Sequence, residues 1–466
     1  MAIDELLPDL RAIVGDEGLV MGDRLRERAK GLDEGAGEVR ARFLVRPRDA
    51  PQVSAILRLC NSRKQIVVTH GGVTGLVYGC AAGVDDLILS LEALNRIEGV
   101  DVAGRTLRVE AGVTLQRAQE EAERHDLMFP LDLGGRATAT IGGNISTNAG
   151  GMRVIRYGMM RSLVLGVEAV LADGTVLGSL NRMLKNNAGY DLKQLFIGTE
   201  GTLGVVTRAD LRLVPRPRSH GTAFVACPDF KSLARLLSLM DSRLGGQLSA
   251  FEVMWPEYYE LVTKPVSSHA ALLPHGLGVY VLIEALGADQ QSDTERLERA
   301  LAEALEAGLV ADAVIAKSDL ERRAMWAPRE AVFETRRLGP THNFDVSLAI
   351  ADMPDYLDAL RRRLAEIAPG ARLIVFGHIA DGNLHIIVAA GDRHAATFDA
   401  VERCVYEPLR SIAGSISAEH GIGLERKAFL GISRSPAELA LMRTLKATLD
   451  PNGILNPGKV IDVPPA

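Results

Sequence analysis

The chain has 466 residues, enough for two or three domains and a sizeable buried core. A composition of 47% hydrophobic and 24% charged residues is that of a globular protein and excludes a disordered one. A net charge of −6 without a long basic run argues against a nucleic-acid partner.

The opening, MAIDELLPDL, carries acids where a secretory signal needs a basic end, and no run of about 18 apolar residues follows. Four scattered cysteines (Cys60, Cys80, Cys227, Cys404) include no CxxC pair. We therefore expect reduced thiols in a cytoplasmic protein without a transmembrane segment.

Residues 1–40 read as a short helix and a charged, glycine-rich connector. Asp49-Ala50-Pro51 is a helix start, and Val53, Ile56, Leu57 and Cys60 at helical spacing predict an amphipathic helix over 51–63. Strands are expected at 65–69, 86–90 and 106–110, a helix over 114–125, and a long polar, glycine-rich stretch over 130–161. Residues 164–171 with Asp173-Gly174 read as one arm of a hairpin. The stretch VPRPRS (214–219) is the best linker and marks a domain boundary. Beyond it, strands at 222–226 and 279–284 alternate with helices over 231–243, 292–307 and 356–367, the pattern of an α+β domain with a helix-covered antiparallel sheet. A helix over 435–449 and the tail DPNGILNPGK close the chain.

Motif absences narrow the chemistry. There is no GxGxxG, no GxxxxGK[ST] and no GxSxG, which argues against Rossmann dehydrogenases, P-loop enzymes and α/β-hydrolases. Glycine is abundant but uneven: 28 of 46 lie in residues 1–217. Three first-half stretches concentrate glycine beside hydroxyl and amide side chains: HGGVTGL (70–76), TIGGNISTNAGGMRVIRYG (140–158) and IGTEGTLGVV (197–206). Gly-Gly pairs often mark plain turns, but three such loops can present backbone N–H groups to the phosphates of one large ligand.

The second constellation is FGHIADGNLH (376–385). Asp381-Gly382 predicts a two-residue hairpin turn, which would set His378 opposite His385 with both imidazoles on one face. Glu419 and His420 follow in SAEHGIG. A His/His/Glu set with open positions suits Zn²⁺, Mn²⁺ or Fe²⁺ acting on a bound oxygen.

At these residues the sequence resembles a known family. HGGVTGL, TIGGNIxTNAGG…RYG, IGTEGTLGVVT, GHxxDGNLH, SxEHGIG and DPxGILNPGK are similar to the FAD-linked D-2-hydroxyacid dehydrogenases, within the vanillyl-alcohol-oxidase group. The resemblance runs in order from about residue 40 to 460, and NNAGYDLKQLFIG (186–198) is most similar to the D-2-hydroxyglutarate branch. It implies an α+β fold in three parts: an FAD-binding domain of the vanillyl-alcohol-oxidase/p-cresol-methylhydroxylase type (1–217), a substrate and metal domain (218–430), and a helical segment (431–466) that returns to the FAD domain.

The resemblance places the FAD pyrophosphate against Gly71, Gly72, Val73, Thr74 and Gly75, with further contacts from Gly142, Gly143, Asn144, Asn148, Gly150 and Gly151. Glu200, Gly201 and Gly204 would line the cofactor and Asn456 would approach the flavin ring. His70 does not match the histidine that relatives use for covalent attachment, so the FAD is expected to be non-covalent. His378, His385 and Glu419 match metal ligands (zinc first, manganese or iron as alternatives), His420 the catalytic base, and Arg329 the arginine for the substrate carboxylate.

The implied reaction is metal-assisted oxidation of a D-2-hydroxyacid to the 2-oxoacid, with hydride passing from C2 to flavin N5. A small acid is the substrate, an electron-transfer flavoprotein or quinone the acceptor, and a homodimer the assembly. Three positions depart from the D-2-hydroxyglutarate pattern: Phe333 replaces a threonine, Asn343 a lysine and Ile387 an asparagine. A second substrate carboxylate buried without donors would be costly, so an apolar side chain is favoured. The alternatives are a D-2-hydroxyglutarate dehydrogenase whose rearranged pocket draws charge from His342 or a nearby arginine, a D-lactate or glycolate dehydrogenase, a sugar or alditol oxidase, an FAD-binding subunit without its own activity, or a scaffold protein.

Overall fold

The computed structural model describes residues 3–25, 34–264, 269–391 and 394–463. Part of the connector expected within residues 1–40 therefore lies outside the described residues. The chain divides into two units, the first made of Met1–Gly151, Gly158–Arg216 and Glu419–Ala466, the second of Met152–Tyr157 and Pro217–Ala418.

In the first unit, strands β1 (Leu19–Met21), β2 (Phe43–Val45), β3 (Val67–His70) and β4 (Leu87–Ser90) form a mixed sheet in the order β1-β2-β4-β3. The helix Ala50–Arg63 begins where the Asp49 side chain accepts a hydrogen bond from Gln52 N, and it buries Val53, Ile56, Leu57 and Cys60 as their spacing requires. It ends at Lys64, in a left-handed conformation.

Strands β5 (Ile97–Asp101), β6 (Thr106–Glu110), β7 (Leu127–Met128), β8 (Val164–Val170), β9 (Val176–Ser179), β10 (Val205–Arg212) and β11 (Val214–Pro215) complete the unit. Five of them make an antiparallel sheet, β5-β6-β10-β8-β9, while β7 pairs with β11. The hairpin expected at 164–171 is β8 and β9, with Val170 opposite Val176.

The polar stretch 130–161 is not all loop. It holds the helix Ile141–Thr147, because Thr140 caps Gly143 N and Asn148 takes the left-handed closing position. Gly142 must be glycine there: its N–H donates to Ala111 O at 2.7 Å, and a Cβ would come within 2.7 Å of the Ala111 methyl. The VPRPRS segment is also more ordered than a linker: Val214 and Pro215 pair with Met128 and Leu127, and the change of unit falls between Arg216 and Pro217.

The second unit is built on a seven-stranded antiparallel sheet of β12 (Ser219–Cys227), β13 (Leu248–Met254), β14 (Val279–Gly287), β15 (Asp312–Ile315), β16 (His342–Ser347), β17 (Arg372–His378) and β18 (Asn383–Ala389). Their order is β15-β12-β14-β13-β17-β18-β16. The helices Phe230–Leu244 and Gln290–Glu306 pack together, as do Met353–Ile367 and Ala395–Tyr406. A buried cluster including Phe224, Met254, Tyr258, Trp326, Phe376 and Ile387 forms its core.

Two short segments change unit relative to the sequence-based boundaries. Residues 152–157 join the second unit, where Arg153 pairs with Glu284 and Arg156 donates to the carbonyls of Gln247 and Leu286. Residues 419–430 join the first, where Glu200 accepts from Ile422 N and Gly423 N. Among the described residues no helix is long and apolar enough to cross a membrane, and no disulfide joins any of the four cysteines.

Candidate active site

In the first unit the three glycine-rich stretches and the C-terminal tail are joined by backbone contacts. The tail runs beside β3: Asn456 N donates to Val67 O, and its side chain links Thr69 N (3.0 Å) to Glu200 O (2.6 Å). Glu200 N in turn donates to Ser146 O, and Gly198 N to Ile145 O, at the helix that carries Asn144. Val73, Asn148, Glu200 and Asn456 all hold positive φ, between 42° and 55°. For the β-branched Val73 that conformation is strained, and such strain clusters at ligand-binding loops.

These loops fit a phosphate-bearing cofactor on two observations. The Nδ2 of Asn144 and the Oγ1 of Thr69 are buried without a hydrogen-bond partner among the described residues. A Cβ on Gly75 would meet nothing within 4 Å, whereas one on Gly72 would overlap the Thr138 carbonyl and one on Gly71 would lie 2.6 Å from Thr140 Oγ1. Gly71 and Gly72 thus let two loops touch, and Gly75 leaves open backbone for a ligand. Gly201 faces the Asn456 amide, and a Cβ on Gly204 would strike the Phe196 ring. Gly143 lies over the Thr140 hydroxyl, and Gly151 takes a φ of 126°. His70 is buried, its Nε2 2.9 Å from Cys80 O.

Glu419 and His420 belong to the first unit. Glu419 Oε1 accepts from Gly151 N at 2.5 Å, and a Cβ on Gly150 would strike that same oxygen. Arg426 Nη2 lies 3.4 Å from His420 Nδ1. The Glu200 carboxyl is pushed above its ordinary range by burial, against the pull of the Ile422 and Gly423 N–H groups. A cavity of about 500 Å³ is lined by Arg40, Tyr78, Asp86, Pro457 and Lys459, among others. The Lys459 ammonium is buried there with no hydrogen-bond partner among the described residues, and burial lowers its pKa to about 8. Lys459 is the last residue of the DPNGILNPGK tail, to which the sequence assigned no role of its own.

In the second unit the histidine hairpin forms with a different register. His385 stands opposite Phe376, not His378, because residues 379–381 make a 3₁₀ turn closed by Gly382 at φ 86°. The buried Ile379 draws that turn inward, so the turn is longer than two residues. His378 lies two residues beyond Phe376 and keeps the same face as His385, which is why the shift does not separate them. Their rings are 5.3 Å apart and nearly perpendicular, and their ligand nitrogens lie within 4.8 Å.

Two buried carboxylates that the motifs did not mark serve these histidines. Glu252 on β13 is the register partner of His378, with Oε1 2.7 Å from His378 Nδ1 and Oε2 2.8 Å from Arg329 Nε. Asp345 on β16 is the register partner of His385, 3.7 Å from its Nδ1, and accepts from Asn383 Nδ2 at 2.7 Å. Burial alone would raise the Glu252 carboxyl, but its partners His378 and Arg329, one on each oxygen, hold it below its ordinary value. A lone charged residue inside the otherwise uncharged and fully buried LSAFEVM strand was the available signal, since unpaired buried charge is prohibitively costly.

Arg329 lies in the last turn of the helix Asp319–Glu330, stacks 4.9 Å from the Phe376 ring centre, and has its carbonyl held by Tyr258 OH. Asn343 and Ile387 are register partners on the histidine face; Asn343 is exposed, while Ile387 is buried among Ile374, Phe376 and Met254. Phe333 lies in the 3₁₀ turn after the arginine helix and is 60% exposed. Ala418 N donates to Asp345 O in this unit, and Glu419 is the next residue in the chain.

Residues 41–178 match the FAD binding domain model and residues 216–460 that of the FAD linked oxidases, C-terminal domain. Mitochondrial D-2-hydroxyglutarate dehydrogenase of Bos taurus is 41% identical over 90% of this chain and 77% of its own length. The chain belongs to the FAD-linked D-2-hydroxyacid dehydrogenases. This dehydrogenase is also 37% identical to D-2-hydroxyglutarate dehydrogenase of Xanthomonas citri pv. viticola, over 89% of the chain and 88% of that relative. It is 36% identical to a putative mitochondrial D-lactate dehydrogenase of Schizosaccharomyces pombe, over 91% and 82%. Among solved structures, p-cresol methylhydroxylase superposes with a TM-score of 0.76 at 16% identity, over 98% of this chain and 97% of that one. 4-Ethylphenol oxidase from Gulosibacter chungangensis gives 0.74 at 16% identity, over 99% and 97%. The dehydrogenase therefore has the vanillyl-alcohol-oxidase type of fold and is an FAD-dependent oxidoreductase.

Proposed function

We propose that this dehydrogenase oxidises a D-2-hydroxyacid with an apolar side chain to the 2-oxoacid, using non-covalent FAD and a divalent metal, zinc first. The observation that carries the proposal is the Glu252-centred cluster: a guanidinium and an imidazole, fixed side by side at the edge of an apolar sheet face. Arg329 would hold the C1 carboxylate through its Nη groups, since its Nε is committed to Glu252. His378, His385 and Glu419 would hold the metal. The covalent step from Ala418, tied to Asp345 beside His385, to Glu419 supports that set. A bound divalent metal supplies a Lewis acid that acidifies the C2 hydroxyl. FAD, held by the glycine-rich loops of the first unit, would supply the two-electron acceptor for the C2 hydride, at N5.

His420 would take the hydroxyl proton. The His70 ring, turned to Cys80 O, supports a flavin held without a covalent bond. Ile387, buried beside Ile374 and Phe376 on the histidine face, offers no donor to a second carboxylate, which supports a hydrocarbon side chain.

The names of the relatives favour D-2-hydroxyglutarate instead, with His342 or a nearby arginine as the second anchor. Anaerobic flavin bleaching by D- and L-2-hydroxyacids, with and without chelator, tests the reaction. Bleaching by D-acids only, lost with chelator, is the expected result, and bleaching by L-acids overturns the stereochemistry. A kcat/KM for D-2-hydroxyglutarate more than tenfold above that for aliphatic or aromatic D-acids, about 1.4 kcal/mol, overturns the apolar preference.

A further inference from the structure

We infer that Glu252 is a positioning residue that fixes, with one carboxylate, both the imidazole offered to the metal and the guanidinium offered to the substrate. The inference rests on the proposed function and adds a residue that no motif or relative's name assigns. A carboxylate in a fully buried strand is tolerated only with partners, and Glu252 has one for each oxygen: His378 Nδ1 at 2.7 Å and Arg329 Nε at 2.8 Å. Neither partner can turn freely. His378 lies opposite Glu252 in the β13–β17 ladder, and Arg329 is stacked on Phe376.

The hydrogen-bond chemistry sets the tautomer from both sides of the ring. An ionised carboxylate can only accept, so Nδ1 of His378 carries the proton. A guanidinium can only donate, and Arg329 Nη2 sits 3.5 Å from Nε2, so the lone pair is on Nε2. That is the state a metal ligand needs, with the far nitrogen anchored on a carboxylate. The same carboxylate occupies Arg329 Nε and leaves the Nη edge, which a substrate carboxylate can use. Metal on Nε2 would take the lone pair from Arg329 Nη2 and release that group to the substrate. Glu252 thereby couples metal occupancy to the carboxylate site.

A glutamine at this position has one acceptor and one donor where two acceptors are required. If the amide N–H faces His378, the imidazole proton moves to Nε2 and blocks the ligand. If it faces Arg329, two donors collide. The test uses the FAD-loaded protein: zinc and manganese affinity by competition with a chromophoric chelator, KM and kcat on the preferred D-acid, and melting temperature, for wild type, E252Q, E252D and H385A. E252Q is expected to bind metal about 10–100-fold more weakly, with KM raised about tenfold or more. E252D, which keeps the charge, is expected to recover part of both.

Metal affinity and KM of E252Q both within threefold of wild type, whatever the melting temperature, overturn the inference and leave Glu252 as a structural counter-charge. If E252Q does not fold, E252D decides: unchanged metal affinity and KM overturn the proposal, while weakening of both supports it. A wild-type protein that binds no metal, like H385A, refutes the metal set of the proposed function and with it the coupling, and KM of E252Q then judges the Arg329 half alone.

Discussion

Lys459 offers a sharp physical test of the first unit. The residue is 3% exposed, and its buried ammonium has no hydrogen-bond partner among the described residues and is driven from an ordinary pKa of 10.5 to about 8 by burial, which Cys80, Asp86 and Glu200 only partly oppose. At about 1.4 kcal/mol per pKa unit, the depression corresponds to roughly 3 kcal/mol of unfavourable charge burial. The sign follows from proton binding. Below pH 8 folded and unfolded chains both hold the proton, so the full cost is present. Between pH 8 and 10.5 only the unfolded chain holds it, so stability rises with pH, and above 10.5 the cost is gone. Lys459→Met keeps the length of the side chain and removes the charge. Denaturant unfolding of the flavin-free protein at pH 6.5 is expected to show the variant about 3 kcal/mol more stable than wild type, a gap that closes as pH approaches 10.5. A less stable variant at pH 6.5, or a gap independent of pH, would refute the reasoning.

Gly72→Ala would place a methyl against the Thr138 carbonyl, so the variant is expected to lose FAD at least tenfold, read from the flavin-to-protein absorbance ratio. Normal flavin content would mean that the loop contact is dispensable. Replacing His420 with Ala is expected to lower turnover by about 10²–10⁴ with FAD content retained, and equal turnover would remove its assigned role. Asp49→Ala deletes the cap on the helix Ala50–Arg63 and is expected to cost about 1 kcal/mol by denaturant unfolding, with no change in KM.

The parts legible in the sequence were those whose physics is local. Gly72 and Gly142 are glycines because backbone passes where a methyl would collide, and such positions leave a visible mark in composition. Apolar spacing over 51–63 located a helix to within a residue. His378 and His385 share a face in either register, so their pairing survived an error in the turn. That turn misled because Asp-Gly signals a tight loop only when its neighbours are free to remain in the strands, and the burial of Ile379 overrode it. Glu252 stayed hidden because its partners lie 126 and 77 residues away, and no short window contains that pairing. Lys459 stands in the DPNGILNPGK tail, but its burial comes from contacts with β3 and the Glu200 loop that lie still further away in sequence.

The Glu252–His378 pair is a rung of a ladder between strands that the chain brings together late, across more than a hundred intervening residues. Long-range pairings of this kind are slow to form because their loops must close first. A refolding chain would therefore present the correct His378 tautomer only after β13 and β17 have docked in register, since a one-residue slip would turn the carboxylate to the opposite face. On the proposed metal set, metal capture during refolding would then act as a clock for sheet closure, and loading at the histidine hairpin before that would be disfavoured by the architecture itself.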